Sequence, residues 1–93
     1  MFKVYLSPLA EQNIQDLLHY LETEWSSKAK NTFWKKLTSK FNQISNYPYS
    51  CIKSNSYPNL FKCVESKQTS FFYRINENEI EIIALIDNRQ DFD

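Results

Sequence analysis

Not one of the 93 residues is glycine. That excludes the glycine-rich loops that cradle phosphates and leaves the turns to asparagine, serine and three prolines. Histidine occurs once and cysteine twice, at no metal-ligand spacing, so no metal or cofactor is expected and Cys51 and Cys63 read as free thiols. No apolar run approaches the roughly 20 residues of a membrane-spanning helix. Lys3 is followed by only Val4 to Leu6 before Pro8, too little for the apolar stretch of a signal peptide. The expectation is a cytoplasmic protein with no membrane partner and no small-molecule substrate.

Net charge is also lacking, at +0, which argues against a chain steered as a whole onto nucleic acid. The charge is unevenly placed, however. Eight lysines lie between Ser27 and Lys67 against one acid, Glu65, whereas Met1 to Ser26 holds one lysine against four acids. This basic middle suits either an acidic partner and a phosphate backbone or a solvated helix face.

What is present is aromatic bulk, 16% of the chain, enough to build one small core; residues 1–93 read as a single domain. Phe2 to Leu6 alternates as a short strand. Ser7 and Pro8 then cap and open a helix, whose stripe Ile14, Leu17, Leu18, Leu21 and Trp25 carries it to about Glu24 or Trp25. His19 sits just off that stripe and reads as structural or solvated. Ser26 and Ser27 break and recap the chain, and Ala29, Phe33, Leu37, Phe41 and Ile44 mark a second helix to about Asn46. Trp34, beside the stripe, reads as a partly buried core aromatic. So short a link packs the two helices antiparallel. Tyr47 to Asn59 forms a long connection in which Cys51 to Lys53 is a packed turn or a short edge strand. Leu60 to Glu65 is a strand in either facing register, with Lys62 or Cys63 outward.

The stretch from Phe71 to Arg89 organises the rest. Asn76 to Glu79 interrupts two runs rich in Phe, Tyr and Ile, which is a hairpin signature, with Asn78 supplying the left-handed turn residue. Glu77 and Asn78 at the tip pair Asn76 with Glu79, Ile75 with Ile80, Arg74 with Glu81 and Tyr73 with Ile82. Strict alternation then sends Phe71, Tyr73, Ile75, Ile80, Ile82, Ala84 and Ile86 to the core, and Phe72, Arg74, Glu81, Ile83, Leu85 and Asp87 to the opposite face. Ile82 to Ile86 is apolar on both faces, as in an interior strand. A partner protein over the second face is one expectation; a loop of the chain itself, or a second copy, is the other. The fold expected is α+β, in the order β-α-α-β-β-β, with a helical hairpin on one face of a mainly antiparallel, curved sheet.

YLSPLAEQNI near the start, Ala29 to Phe33, Asn46-Tyr47-Pro48, SKQTSFFYRI and the closing IDNRQDF together resemble the RelE/ParE toxins of bacterial type II toxin–antitoxin pairs, over nearly the whole chain and in order. The resemblance implies a growth inhibitor neutralised by a cognate antitoxin that covers its working face. It also implies one of two targets. RelE-like members enter the ribosome and cut mRNA, while ParE-like members poison DNA gyrase.

Metal-free RNA cleavage needs a base, an acid and cations in one place. The candidate cations are Arg89, Lys62, Lys67 and Arg74, with Lys53 beside them, expected to converge on the open face. Arg74 has a plainer role as the cross-strand partner of Glu81. Arg89 has one in pairing with Asp87 or Asp91. The acid–base side is poor, because Tyr73 falls on the core face and only Phe92 offers an aromatic after the arginine. Lys62 stands where relatives often carry arginine, and Phe92 where the closing motif usually has proline. The expectation therefore leans to the ParE-like, non-hydrolytic side. The alternatives are a ribosome-dependent mRNA endonuclease and an inactive homologue that only binds its antitoxin. Arg89, Arg74, Phe72, Ile83, Leu85, Asn88 and Gln90 are the expected target- or antitoxin-binding residues.

Overall fold

The computed structural model describes residues 1–90, apart from the side chain of Gln90. Its elements are β1 (Lys3–Leu6), α1 (Pro8–Glu24), α2 (Ser27–Asn46), β2 (Ile52–Lys53), β3 (Phe61–Val64), β4 (Thr69–Asn76), β5 (Glu79–Asp87) and a 3-10 turn (Asn88–Gln90). Five strands form one mixed sheet in the order β1-β5-β4-β3-β2. β5, apolar on both faces, is indeed interior: β1 pairs with it in parallel and β4 antiparallel.

Both helices start where serine supplies the cap. The Ser7 and Ser26 hydroxyls accept from the N–H groups of Ala10 and Ala29, satisfying donors that the first helical turn leaves free. Ala10, Ile14, Leu17 and Leu21 of α1 and Phe33, Leu37 and Ile44 of α2 form one cluster with Phe71, Tyr73, Ile80, Ile82 and Leu85 of the sheet. Phe41 meets Phe71 edge-on at 5.2 Å, and the buried Tyr73 hydroxyl donates to the Pro48 carbonyl at 2.8 Å. Trp34 is not part of this core. It lies on the outer side of the helical hairpin, 43% exposed, in a groove with Leu18 and His19.

The hairpin has the pairing its sequence predicts from Asn76–Glu79 to Tyr73–Ile82. Beyond that the ladder slips: Phe72 pairs with Ala84 and Phe71 with Leu85, leaving Ile83 as an extra residue in β5. α1 absorbs the slip. The Ser7 hydroxyl donates to the Ile83 carbonyl at 2.7 Å, and the Leu85 N–H donates to the Asn13 side-chain oxygen at 3.1 Å.

This bulge corrects the alternation predicted for the strand's second half. Leu85 and Asp87 turn toward the helices, where Leu85 is 5% exposed, and Ala84 and Ile86 turn outward. The turn also differs from its expected chemistry, because Glu77 and not Asn78 takes the positive φ, 56°. The alternative registers of β3 resolve with Phe61 and Cys63 buried and Lys62 and Val64 exposed.

Candidate functional site

The open side of the sheet is partly roofed by the chain itself. Tyr57, from the long connection, meets Phe72 edge-on at 5.3 Å, so Phe72 is only 7% exposed. Beside it Leu9, Leu60, Ile83, Ala84 and Ile86 line an apolar groove of about 250 Å³, and Ile86 and Val64 stand exposed. The chain's own loop therefore covers Phe72, while Ile83, Ala84 and Ile86 are left in an open groove.

The candidate cations do not converge on that strip. Arg74 and Lys62 are on the open side, with Arg74 held by Glu81 through bonds of 2.8 and 2.9 Å. Lys62 lies opposite Phe72, Lys53 opposite Phe61 on the other face, and Lys67 in the turn between β3 and β4.

Arg89 sits on the helix side, downstream of the bulge at Ile83 that reverses the alternation of β5. Its backbone N–H and Nε donate to Asp87 Oδ1 at 2.8 and 3.1 Å, and its Nη2 donates to Oδ2 at 2.7 Å and to Thr69 Oγ1 at 3.2 Å. The Thr69 hydroxyl donates in turn to Asp87 Oδ2. The guanidinium lies 5.8 Å from the Trp25 ring centre and 5.9 Å from that of Phe33.

Burial alone would raise the Asp87 carboxyl, but bonds from Arg89 and Thr69 outweigh it and hold the group below its ordinary value. The same bonds to Asp87 raise Arg89. The guanidinium is thus a fixed charge, 18% exposed, at the edge of a cleft of about 360 Å³ lined by Trp25, Lys28, Lys36 and Glu65.

Of the other predicted residues, Asn88 is exposed, with its N–H bonded to the Gln68 carbonyl at 2.9 Å. The Gln90 side chain, Asp91 and Phe92 lie outside the described residues. Sequence reading singled out none of Asn13, Thr69 and Tyr57, although Asn13 and Thr69 lie within the stretches that carry the family resemblance. Only a bulge in β5 gives Asn13 a bond to make, and only the folded connection brings Tyr57 to Phe72.

Two helices against one side of a five-stranded mixed sheet is the architecture of solved toxin–antitoxin proteins. The chain superposes on the chromosomal ParDE system from P. aeruginosa with a TM-score of 0.74 at 15% identity, covering 94% of this chain and 96% of that one. It matches the YoeB dimer from Staphylococcus aureus at 0.64 and 14% identity, over 91% and 94%. The match to the E. coli DinJ-YafQ complex is 0.64 at 7% identity, over all of both chains. A search of curated proteins by sequence finds no match. Residues 4–92 match the family described as the ParE toxin of the type II toxin–antitoxin system, parDE, and the chain belongs to that family. No helix among the described residues is long and apolar enough to cross a membrane.

Proposed function

We propose that this toxin arrests growth by binding DNA gyrase without cutting nucleic acid, and that a cognate antitoxin neutralises it by laying an apolar segment along the strip from Ile83 to Ile86. One observation carries the non-hydrolytic reading: the cations expected from the sequence to converge, Arg89, Arg74 and Lys62, are dispersed. Arg89 is clamped by Asp87 and Thr69 on the helix side, Arg74 is engaged by Glu81 on the open side, and Lys62 stands on the open side opposite Phe72. A phosphoryl transition state is stabilised by charges already aimed at one point, and these point apart. The antitoxin reading is supported by the groove itself, which is apolar, open at Ile86 and flanked by Lys62.

A supercoiling assay with purified gyrase tests the target directly, beside a ribosome-bound mRNA cleavage assay. Inhibition of supercoiling with intact mRNA is expected. The second reading, a ribosome-dependent mRNA endonuclease, is favoured by the cleft where Lys28, Lys36 and Arg89 stand around Trp25. Cleavage that disappears in a folded Arg89 variant would establish it instead.

A further inference from the structure

β2 and β3 pair Ile52 with Lys62 and Lys53 with Phe61. One step beyond that ladder the same register sets Cys51 opposite Cys63, both turned to the helix side. Directly opposed residues of an antiparallel pair have Cα atoms about 4.5–5.5 Å apart, inside the roughly 4.4–6.8 Å that a disulfide spans. Both side chains pack on the same side of the sheet, Cys63 within the core cluster and Cys51 against it. Both thiols are free; Cys63 is 2% exposed, and Cys51 is half-buried at the rim of the core.

A lone buried cysteine is merely a small apolar side chain. Two set opposite each other, one of them reaching solvent, are an attacking thiol and a resolving thiol. A metal is a poorer occupant, because no third His, Cys, Asp or Glu joins the pair among the described residues.

We propose that Cys51 and Cys63 form a reversible intramolecular disulfide that locks the base of the segment between them. That segment is the roof of the open face. Within it Ser54 N–H donates to the Leu60 carbonyl at 2.8 Å, and Tyr57 rests on Phe72. Its base is otherwise held by the two residue pairs of the β2–β3 ladder. A covalent link there removes the opening that lifts Tyr57 away from Phe72, whatever the target of the protein.

The oxidant is a low-molecular-weight disulfide such as oxidised glutathione. Cys51 as thiolate attacks one of its sulfurs, breaking the S–S bond and expelling one thiolate, which takes up the proton Cys51 released. Cys63 then gives up its proton and attacks the Cys51 sulfur, expelling the second small thiol. Two protein thiols are oxidised by two electrons, and one small disulfide is reduced to two thiols. Burial pushes the Cys63 thiol up, so the second step, in which Cys63 must give up its proton, quickens as pH rises.

The test is to equilibrate the full chain in mixtures of reduced and oxidised glutathione, quench with acid, alkylate and weigh it. A species about two mass units lighter than the reduced chain is expected. It should disappear in Cys51→Ser, and its melting temperature should lie higher by on the order of 5–10 °C. Amide exchange across residues 54–60 should slow more than elsewhere. Persistent glutathione adducts on Cys51, or dimers through Cys51 without the lighter monomer, would overturn the disulfide. A disulfide that leaves exchange at residues 54–60 unchanged would overturn the lock. Cys51→Ser alters a half-exposed position and keeps the test valid if Cys63→Ala fails to fold.

Discussion

Arg89 folds back onto Asp87 so that one carboxylate receives its backbone N–H, its Nε and its Nη2 together. The Asp87 side chain is fully shielded, while the guanidinium keeps a path to water. The two partners are therefore unequal in what their removal leaves behind. Arg89→Ala strands a buried carboxylate and should cost about 2–3 kcal/mol, under the fully buried range because Arg89 is at the rim. Asp87→Ala frees the arginine to swing outward and should cost about 1–2 kcal/mol, with the double variant well short of the sum. Urea unfolding measures all three. Loss of toxicity in Arg89→Ala is informative only at temperatures where that variant stays folded.

The same pair predicts an acid response. Asp87 is held below its ordinary value in the folded state by the bonds from Arg89 and Thr69, so its contribution is present above the unfolded value and is lost as pH falls through the folded one. The melting-temperature gap between the natural chain and Asp87→Asn should stay constant from about pH 7 to 5 and close below about pH 4. A gap that widens on acidification would contradict the assignment.

Ile83 and Leu85 are two residues apart and should behave as opposites. Leu85→Lys buries an ammonium in the core and should abolish folding. Ile83→Lys, at the groove, should fold with a cost of about 1 kcal/mol or less yet weaken antitoxin binding at least about tenfold. Co-purification with the antitoxin, alongside circular dichroism of each variant alone, separates the two effects.

Ser7 serves two masters, accepting from Ala10 N–H to cap α1 and donating to the Ile83 carbonyl at the bulge. Ser7→Ala should cost about 2 kcal/mol, more than a surface cap alone. A loss of only a few tenths in a denaturant titration would mean that the bulge bond contributes nothing.

Glu77 occupies a left-handed conformation in which its Cβ crowds the following carbonyl oxygen. Glu77→Gly or Glu77→Asn should therefore raise stability by about 0.5–1 kcal/mol, read as a higher denaturation midpoint.

Most of the architecture was legible because serine caps and apolar periodicity are local signals. Ser7, Ser26 and the stripes of α1 and α2 mark both helices, and the Arg74–Glu81 pairing follows from turn arithmetic. What failed traces to a single inserted residue. An alternating pattern cannot reveal a bulge where both faces are apolar, and Ile82 to Ile86 offers no polar residue to mark the change of phase. From that slip follow the misplacement of Leu85, of Asp87 and of Arg89. Trp34 failed for a different reason: an aromatic one position off a stripe fits either a core edge or an outer groove, and only the neighbouring helix decides.

β1 finds its place only beside β5, as the Ser7 bond to Ile83 across 76 residues makes plain. The helical pair is built from sequence neighbours and can assemble at once, whereas the first strand must wait for almost the last. Assembly order is thus written into the connectivity. Cutting the chain ahead of Glu79 would leave β1 without its strand partner and β4 with a bare edge, splitting the sheet rather than shortening it.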